Sequence, residues 1–288
     1  MLHETARAKL NLTLEVKGRR PDRYHELRSL VAFTDFGDGV ELEPAPELSL
    51  EIDGPFAPAL GTHENLILTA AEAAKAICPD LTLGRFRLIK ELPIASGLGG
   101  GSADGAAALR LLARANQGKL RPDALTEIAG KLGSDATACL ASKPALMTGR
   151  GEVVSEVAGF PICGVLLANP GVGLATAKVY AALDAKPCRD DDNRAEALPQ
   201  FEDSFERLVD YARARTNDLE APAMKLAPII GEVLASLSDF GPGLTRLSGS
   251  GATCFALFDS PQEAASAAHA LSRRQPNWWV KAGSLGST

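Results

Sequence analysis

Hydrophobic and polar positions alternate with two different periods along this chain. Leu10, Leu12, Leu14 and Val16 alternate with Asn11, Thr13 and Glu15. A period of two predicts a half-buried strand with one polar face, to which Lys9 also belongs. Residues 48–53 (LSLEID) alternate likewise, and a further strand is predicted near 84–91, stopped by Pro93. Leu66, Ala70, Ala73 and Ile77 instead recur at helical spacing across 64–77. An alanine-rich helix is predicted from about Ser102 to Ala115. Another starts at Pro122, places Leu125, Ile128, Ala129 and Leu132 on one face, and ends at Gly133. GVLLANP at 164–170 predicts a short strand. Leu226, Ile229, Ile230, Val233, Leu234 and Leu237 predict one amphipathic helix over 222–237. Strands at 244–248 and 253–258 flank the turn LSGSGAT. Ser260-Pro261-Gln262-Glu263 is a capping box with proline in the first turn, and NWWVKA at 277–282 reads as a closing strand.

Strands and helices follow one another irregularly, which predicts an α+β fold. The acidic stretch 184–206 reads as a solvated connector or surface helix. Glycine, proline and polarity combine in GRGEVVSEVAGFP at 150–162. A division into domains 1–157 and 158–288 is therefore expected, with the last strand able to return to the first domain.

Composition narrows the class. The chain has 288 residues, of which 45% are hydrophobic and 23% charged, a globular balance. Its formal net charge of −6 speaks against generic nucleic-acid binding, so no nucleic-acid partner is expected. Five dispersed cysteines and four scattered histidines present neither a disulfide framework nor a zinc-ligand spacing. No apolar run is long enough for a membrane span, and the N-terminus is too polar for a signal peptide. A cytoplasmic protein without a membrane partner is expected.

Residues 92–109 (LPIASGLGGGSADGAAAL) carry the strongest chemical signal. Glycines at 97, 99, 100, 101 and 105 permit positive φ and close approach of backbone to a ligand. The loop runs into a helix whose expected N-cap is Ser102, so amide groups and the positive end of the helix dipole make an anion site, most naturally for phosphate. A flexible surface turn is the bland alternative. The Walker A pattern is missing: Gly118-Lys119 and Gly130-Lys131 are each followed by leucine. No nucleophile elbow is present. Residues 1–30 hold seven Lys/Arg against four Asp/Glu, a basic edge suited to an anionic substrate or simply solvated.

Pro93 to Ala103 resembles the P-x-x-x-G-L-G-S-S-A loop of the GHMP kinases. AKLNLTLEVKGRRPDRYHELRSL at 8–30, ENLILTAAE at 64–72, TNDLEAPA at 216–223 and LSGSGATCFALF at 247–258 extend the resemblance over most of the chain. The similarity is closest to the branch whose substrate is 4-diphosphocytidyl-2-C-methyl-D-erythritol. It implies a two-domain α+β GHMP fold with the active site in the interdomain cleft, and phosphorylation of that substrate's 2-hydroxyl by ATP with Mg²⁺ in non-mevalonate isoprenoid biosynthesis. The resemblance implies Lys9 and Asp135 as catalytic residues. It implies an ATP loop of Pro93, Ile94, Ala95, Ser96, Gly97, Leu98, Gly99, Gly100, Gly101, Ser102 and Ala103. It also implies cytidine recognition by Tyr24 and His25, with Tyr180 on the far side of the base, and Asn11 beside Lys9 in the substrate site. The Mg²⁺ ligands are left open.

The residues themselves agree. Lys9 and Asn11 share one face of a strand, and phosphoryl transfer to a hydroxyl wants a proton acceptor and cations near the γ-phosphate. An aromatic face such as that of Tyr24 suits a base. Alone, however, Lys9 would be read as solvated, Asp135 as a helix cap and Tyr24 as a surface ring. The chain departs from the family pattern at Arg7, where proline is frequent, and at Arg23, where Asp-Gly-Tyr-His is usual. It departs also at Gly105, often alanine, and at Ser134, Ala136 and Thr137 around Asp135. Three alternatives stay open: another GHMP small-molecule kinase, a related ATP-dependent decarboxylase, or a non-enzymatic nucleotide-binding protein.

Overall fold

A computed structural model describes residues 1–60, 65–188 and 197–286. Glu64 of the ENLILTAAE segment and residues 189–196 of the acidic stretch lie outside the described residues. In chain order the described elements are β1 (Leu2–Asn11), β2 (Glu15–Arg19), β3 (His25–Glu43), β4 (Ser49–Asp53), α1 (Leu66–Ile77), β5 (Arg85–Ile89), α2 (Gly100–Ala115), α3 (Pro122–Leu132), α4 (Ala136–Ala141), β6 (Ala145–Gly149) and β7 (Val153–Glu156). They continue with β8 (Cys163–Asn169), α5 (Thr176–Leu183), α6 (Phe205–Arg213), α7 (Glu220–Leu226), α8 (Ile229–Ser238), β9 (Leu244–Leu247), β10 (Cys254–Phe258), α9 (Pro261–Arg274) and β11 (Trp279–Leu285).

Contacts gather the chain into two compact units. One comprises Met1–Lys9, Phe36–Ile94 and Gly99–Ser142; the other comprises Leu10–Asp35, Ala95–Leu98 and Lys143–Thr288. The expected division at 157/158 cuts the chain once, whereas the units interleave three segments each. The physical reason is strand pairing: hydrogen bonds join segments far apart in sequence, and β3 is long enough to supply residues to both units. The stretch 150–162, expected to hold the domain boundary, contains β7, which pairs antiparallel with β6 through Ala145↔Glu156 and Thr148↔Val153.

In the first unit β5 lies between β3, antiparallel through Gly39↔Ile89, and β4, parallel through Ser49↔Arg85. Helix α1 packs on α2 and α3, and α2 on α4. The alanines of α2 serve this packing: Ala103, Ala106, Ala107 and Ala108 are buried with Leu109, Leu111 and Leu112. At Gly105 an added Cβ would lie 3.1 Å from the Leu66 carbonyl and 3.3 Å from Leu132, so glycine there sets how closely the helices approach. The helix starts earlier than expected. Its N-cap is Gly99, in the left-handed region at φ 64°, and Ser102 lies inside the first turn. Only a glycine takes that backbone without strain, which is why the polar residue is not the cap.

In the second unit β8 runs between β10 (Cys254↔Ala168) and β11 (Trp279↔Asn169), with β9 beyond β10 (Cys254↔Leu247). β11 also reaches β3 at Leu285↔Thr34, and β2 and β6 flank the start of β3 (Arg19↔His25, Leu27↔Gly149). Leu166, Ala168, Val179, Leu219, Ile230, Val233, Leu237, Leu247 and Phe258 share one core.

Three sequence expectations change in this unit. The helix expected over 222–237 is two helices, because proline at 228 cannot continue the ladder and disfavours helical backbone at Ala227. The strand expected over 10–16 breaks after Asn11, and its polar face is not solvated. Asn11 and Thr13 are buried: Asn11 Nδ2 donates to Ser29 Oγ at 2.8 Å, and Thr13 Oγ1 accepts from Leu30 N at 3.0 Å. Within 184–206, residues 205–206 open α6, and Phe201 is fully buried with its ring edge-on to Phe160 and Tyr211, so this end of the stretch is anchored rather than solvated. All five cysteines are free. Among the described residues no helix is long and apolar enough to cross a membrane.

Candidate active site

In the first unit, β1 carries Lys9 into the interior and α4 is preceded by Asp135. Lys9 Nζ lies 3.0 Å from Asp135 Oδ2; the lysine side chain is 4% exposed and the aspartate 35%. The buried end of the pair is thus the cation, and the carboxylate keeps an open side. Asp135 is the N-cap residue of α4 yet makes no capping hydrogen bond with its side chain, so the cap role expected of a lone Asp after Gly-Ser is not what holds it. Gly99 adjoins the pair: a Cβ there would be 3.2 Å from Lys9 Cε and 3.6 Å from Asp135 Oδ2. The first N–H groups of α2, which have no intrahelical acceptor, therefore begin beside a lysine–aspartate pair.

The same helix start rests on a buried ion triad that pattern reasoning missed. Lys90 Nζ donates to Asp38 Oδ2 and Asp104 Oδ2, each at 2.6 Å, and all three side chains are at most 4% exposed. Asp38 Oδ1 accepts from Glu91 N at 2.7 Å and Leu92 N at 2.8 Å. The triad thereby ties the segment before the glycine loop to the helix after it. Lys90 Nζ would be 3.2 Å from a Cβ on Gly100. Burial pushes the Asp104 carboxyl up to about 7 against the attraction of Lys90. Burial opposes the charge of Lys90, but Asp104 and Asp38 outweigh it and raise its pKa. The only local signal was two charged residues, Lys90 and Asp104, bracketing an otherwise uncharged loop apart from Glu91.

In the second unit, Ala95 and Gly97 have positive φ, and the turn LSGSGAT meets this part of the loop. Ser248 Oγ donates to the Gly97 carbonyl at 2.9 Å, and Thr253 N donates to the Ser96 carbonyl at 3.0 Å. A Cβ on Gly97 would lie 2.2 Å from the Ser248 carbonyl oxygen, an approach that only glycine permits. Asn217, within TNDLEAPA, donates to the carbonyls of Leu247 and Gly249 and accepts from Leu219 N. It is a second residue to which sequence reasoning assigned no task.

The second unit also holds the aromatic residues. His25 stacks on Tyr180 with ring centroids 4.7 Å apart and planes inclined by 26°. Tyr24 stands apart from that stack, 54% exposed, and closes a turn in which Arg20 N donates to the Tyr24 carbonyl and Tyr24 N to Asp22 Oδ1. Burial first, and the charge of Arg19 second, lower the His25 pKa, which favours the neutral imidazole, a form that can both donate and accept. Asn11 Nδ2 donates to Ser29 Oγ at 2.8 Å. Part of the basic edge of residues 1–30 is paired within it: Arg20 with Glu26 and Asp22, Lys17 with Glu15.

Known proteins are similar to this chain in sequence and in architecture. GHMP kinases N terminal domain matches residues 65–143 and GHMP kinases C terminal matches residues 195–277. A 4-diphosphocytidyl-2-C-methyl-D-erythritol kinase of Rhodopseudomonas palustris is 48% identical over 99% of this chain and 97% of its own length. One of Bradyrhizobium diazoefficiens is 46% identical over 99% of this chain and 98% of its own. The chain belongs to the 4-diphosphocytidyl-2-C-methyl-D-erythritol kinase family. A crystal structure of 4-(cytidine 5'-diphospho)-2C-methyl-D-erythritol kinase, 32% identical and covering all of both chains, superposes with a TM-score of 0.77. The fold is that of the GHMP kinases.

One departure of this chain from the usual pattern of the 4-diphosphocytidyl-2-C-methyl-D-erythritol kinases carries backbone strain. Arg23, where the family pattern usually has glycine, sits at φ 71°, a left-handed conformation that costs an L-residue roughly 1–2 kcal/mol. The turn that presents Tyr24 therefore retains a glycine geometry with an arginine in it.

Proposed function

We propose that this chain transfers the γ-phosphoryl group of ATP to the 2-hydroxyl of 4-diphosphocytidyl-2-C-methyl-D-erythritol, giving the 2-phosphate of the non-mevalonate isoprenoid route. The observation that carries this reading is the Lys9–Asp135 pair, 3.0 Å apart, adjoining Gly99 at the start of α2. Asp135 has an exposed carboxylate side and accepts the proton of the attacking hydroxyl. Lys9, fixed by burial, keeps that carboxylate oriented and sets a positive charge where the γ-phosphate gathers negative charge. The N–H groups at Gly100, Gly101 and Ser102 face an anion with no intrahelical competitor. A backbone without Cβ atoms at Gly97 and Gly99 fits a phosphate chain. Pro93 to Ala103 are the residues assigned to ATP.

Mg²⁺ bound with ATP neutralises phosphate charge when present. Among the described residues no three His, Cys, Asp or Glu side chains gather to hold a metal. Asp135, whose carboxylate keeps an open side, would supply one donor beside ATP's own oxygens, in keeping with the sparse protein share usual for Mg²⁺. Tyr24 offers a face to cytosine, His25 reads its polar edge and Asn11 orients the substrate; Tyr180, expected across the base from Tyr24, is stacked on His25 instead and backs that ring.

A coupled ADP-release assay with ATP and Mg²⁺ tests the reading. ADP should form with 4-diphosphocytidyl-2-C-methyl-D-erythritol and not with mevalonate, homoserine or galactose. Preference for one of those, or carbon dioxide release from a diphospho-acid, would assign a different GHMP activity. Nucleotide binding without ADP from any acceptor would mark a non-enzymatic protein.

A further inference from the structure

Beside the aromatic residues, one cation has no task in the chemistry above. The Arg150 guanidinium carbon lies 4.8 Å from the centroid of the Tyr24 ring. A surface arginine is usually mobile, but the turn carrying this one is built around it. Gly149 and Gly151 flank it at φ 71° and 110°. Glu152 Oε2 accepts from Arg150 N at 2.5 Å, and Glu152 Oε1 lies 3.6 Å from Arg150 Nε. A Cβ on Gly149 would come within 2.7 Å of Glu152 Oε2, so glycine there makes room for the carboxylate that aims the arginine. Gly149 ends β6 and pairs with Leu27 of β3, two residues after His25. Pairing of β6 with β3 thus brings the GRGE turn alongside the Tyr24-His25 dipeptide.

We propose that Arg150 is a positioning residue for base recognition: it covers one face of the Tyr24 ring and holds the other face open to the cytosine of the substrate. This rests on Tyr24 stacking on the base. The ring is attached to a strained turn and is largely exposed, so without a partner it would sample several orientations. A guanidinium over one face restricts these and cannot itself compete for the opposite face. Glu152 acts one step further out by aiming Arg150.

Steady-state kinetics on Arg150→Met, Arg150→Lys, Tyr24→Ala and the double variant Tyr24→Ala/Arg150→Met test this. Arg150→Met should raise KM for the cytidine substrate roughly 2–5-fold, as expected for an exposed cation–π contact, with ATP KM and kcat unchanged. Arg150→Lys should recover part of the loss. The double variant should be no worse than Tyr24→Ala alone, because Arg150 acts through the ring. Additive losses in the double variant, or an unchanged substrate KM in Arg150→Met while Tyr24→Ala raises it, would overturn the proposal and leave base stacking by Tyr24 intact. An unchanged KM in Tyr24→Ala would overturn both.

Discussion

Replacing Asp104 by asparagine should change how stability depends on pH. Asp104 is fully buried, one of its oxygens accepts from Lys90 at 2.6 Å, and the other, Oδ1, has no hydrogen-bond partner. Lys90 already bonds Asp38, so ionising Asp104 leaves a net negative charge in a dry interior. Burial consequently raises this carboxyl from 3.8 to about 7. The sign follows from linkage: a group whose folded pKa is raised contributes stability that is complete below its unfolded pKa and is lost as pH rises through the folded one. About three pH units at 1.36 kcal/mol each set the loss between pH 4 and 8 at no more than about 4 kcal/mol. Asparagine keeps the shape and a carbonyl for Lys90 but does not titrate. Urea unfolding of the ligand-free chain from pH 4 to 8 should show the variant gaining on the wild type as pH rises, by up to that amount. Carboxyl NMR of the wild type should show one aspartate titrating near neutrality that is missing from the variant. A stability difference that stays constant across this range would refute the reasoning.

Three further outcomes are expected. Asp135→Asn should lower kcat by roughly 10²–10⁴-fold, the range for loss of a general base, in single-turnover as well as steady-state assays. Tyr24→Ala should raise the cytidine-substrate KM with little change in ATP KM; equal losses in both would remove Tyr24 from base recognition. Arg23→Gly should stabilise the protein by roughly 1 kcal/mol by relieving the left-handed strain, read as a higher unfolding midpoint with substrate KM preserved.

Local pattern determined a great deal here. Local signals located these elements closely: one-sided periodicity gave β4, α1 and α3, short apolar runs gave β8 and β10, which are buried throughout, and the Ser260 cap gave the start of α9. The family resemblance pointed to Lys9, Asp135 and the glycine loop, and the fold sets the first two 3.0 Å apart next to Gly99. Three features were decided by tertiary contacts alone. The Asp38–Lys90–Asp104 triad joins positions up to 66 apart in number, and no local window contains it. The polar face of residues 9–13 looked solvent-facing because alternation records only that two faces differ; Asp135 beside Lys9, Ser29 beside Asn11 and Leu30 N beside Thr13 make it a buried, paired one. Strand pairing, finally, gathered three separated segments into each compact unit and set Arg150 beside Tyr24. Periodicity reports which way a side chain points, and only the folded chain supplies what it meets there.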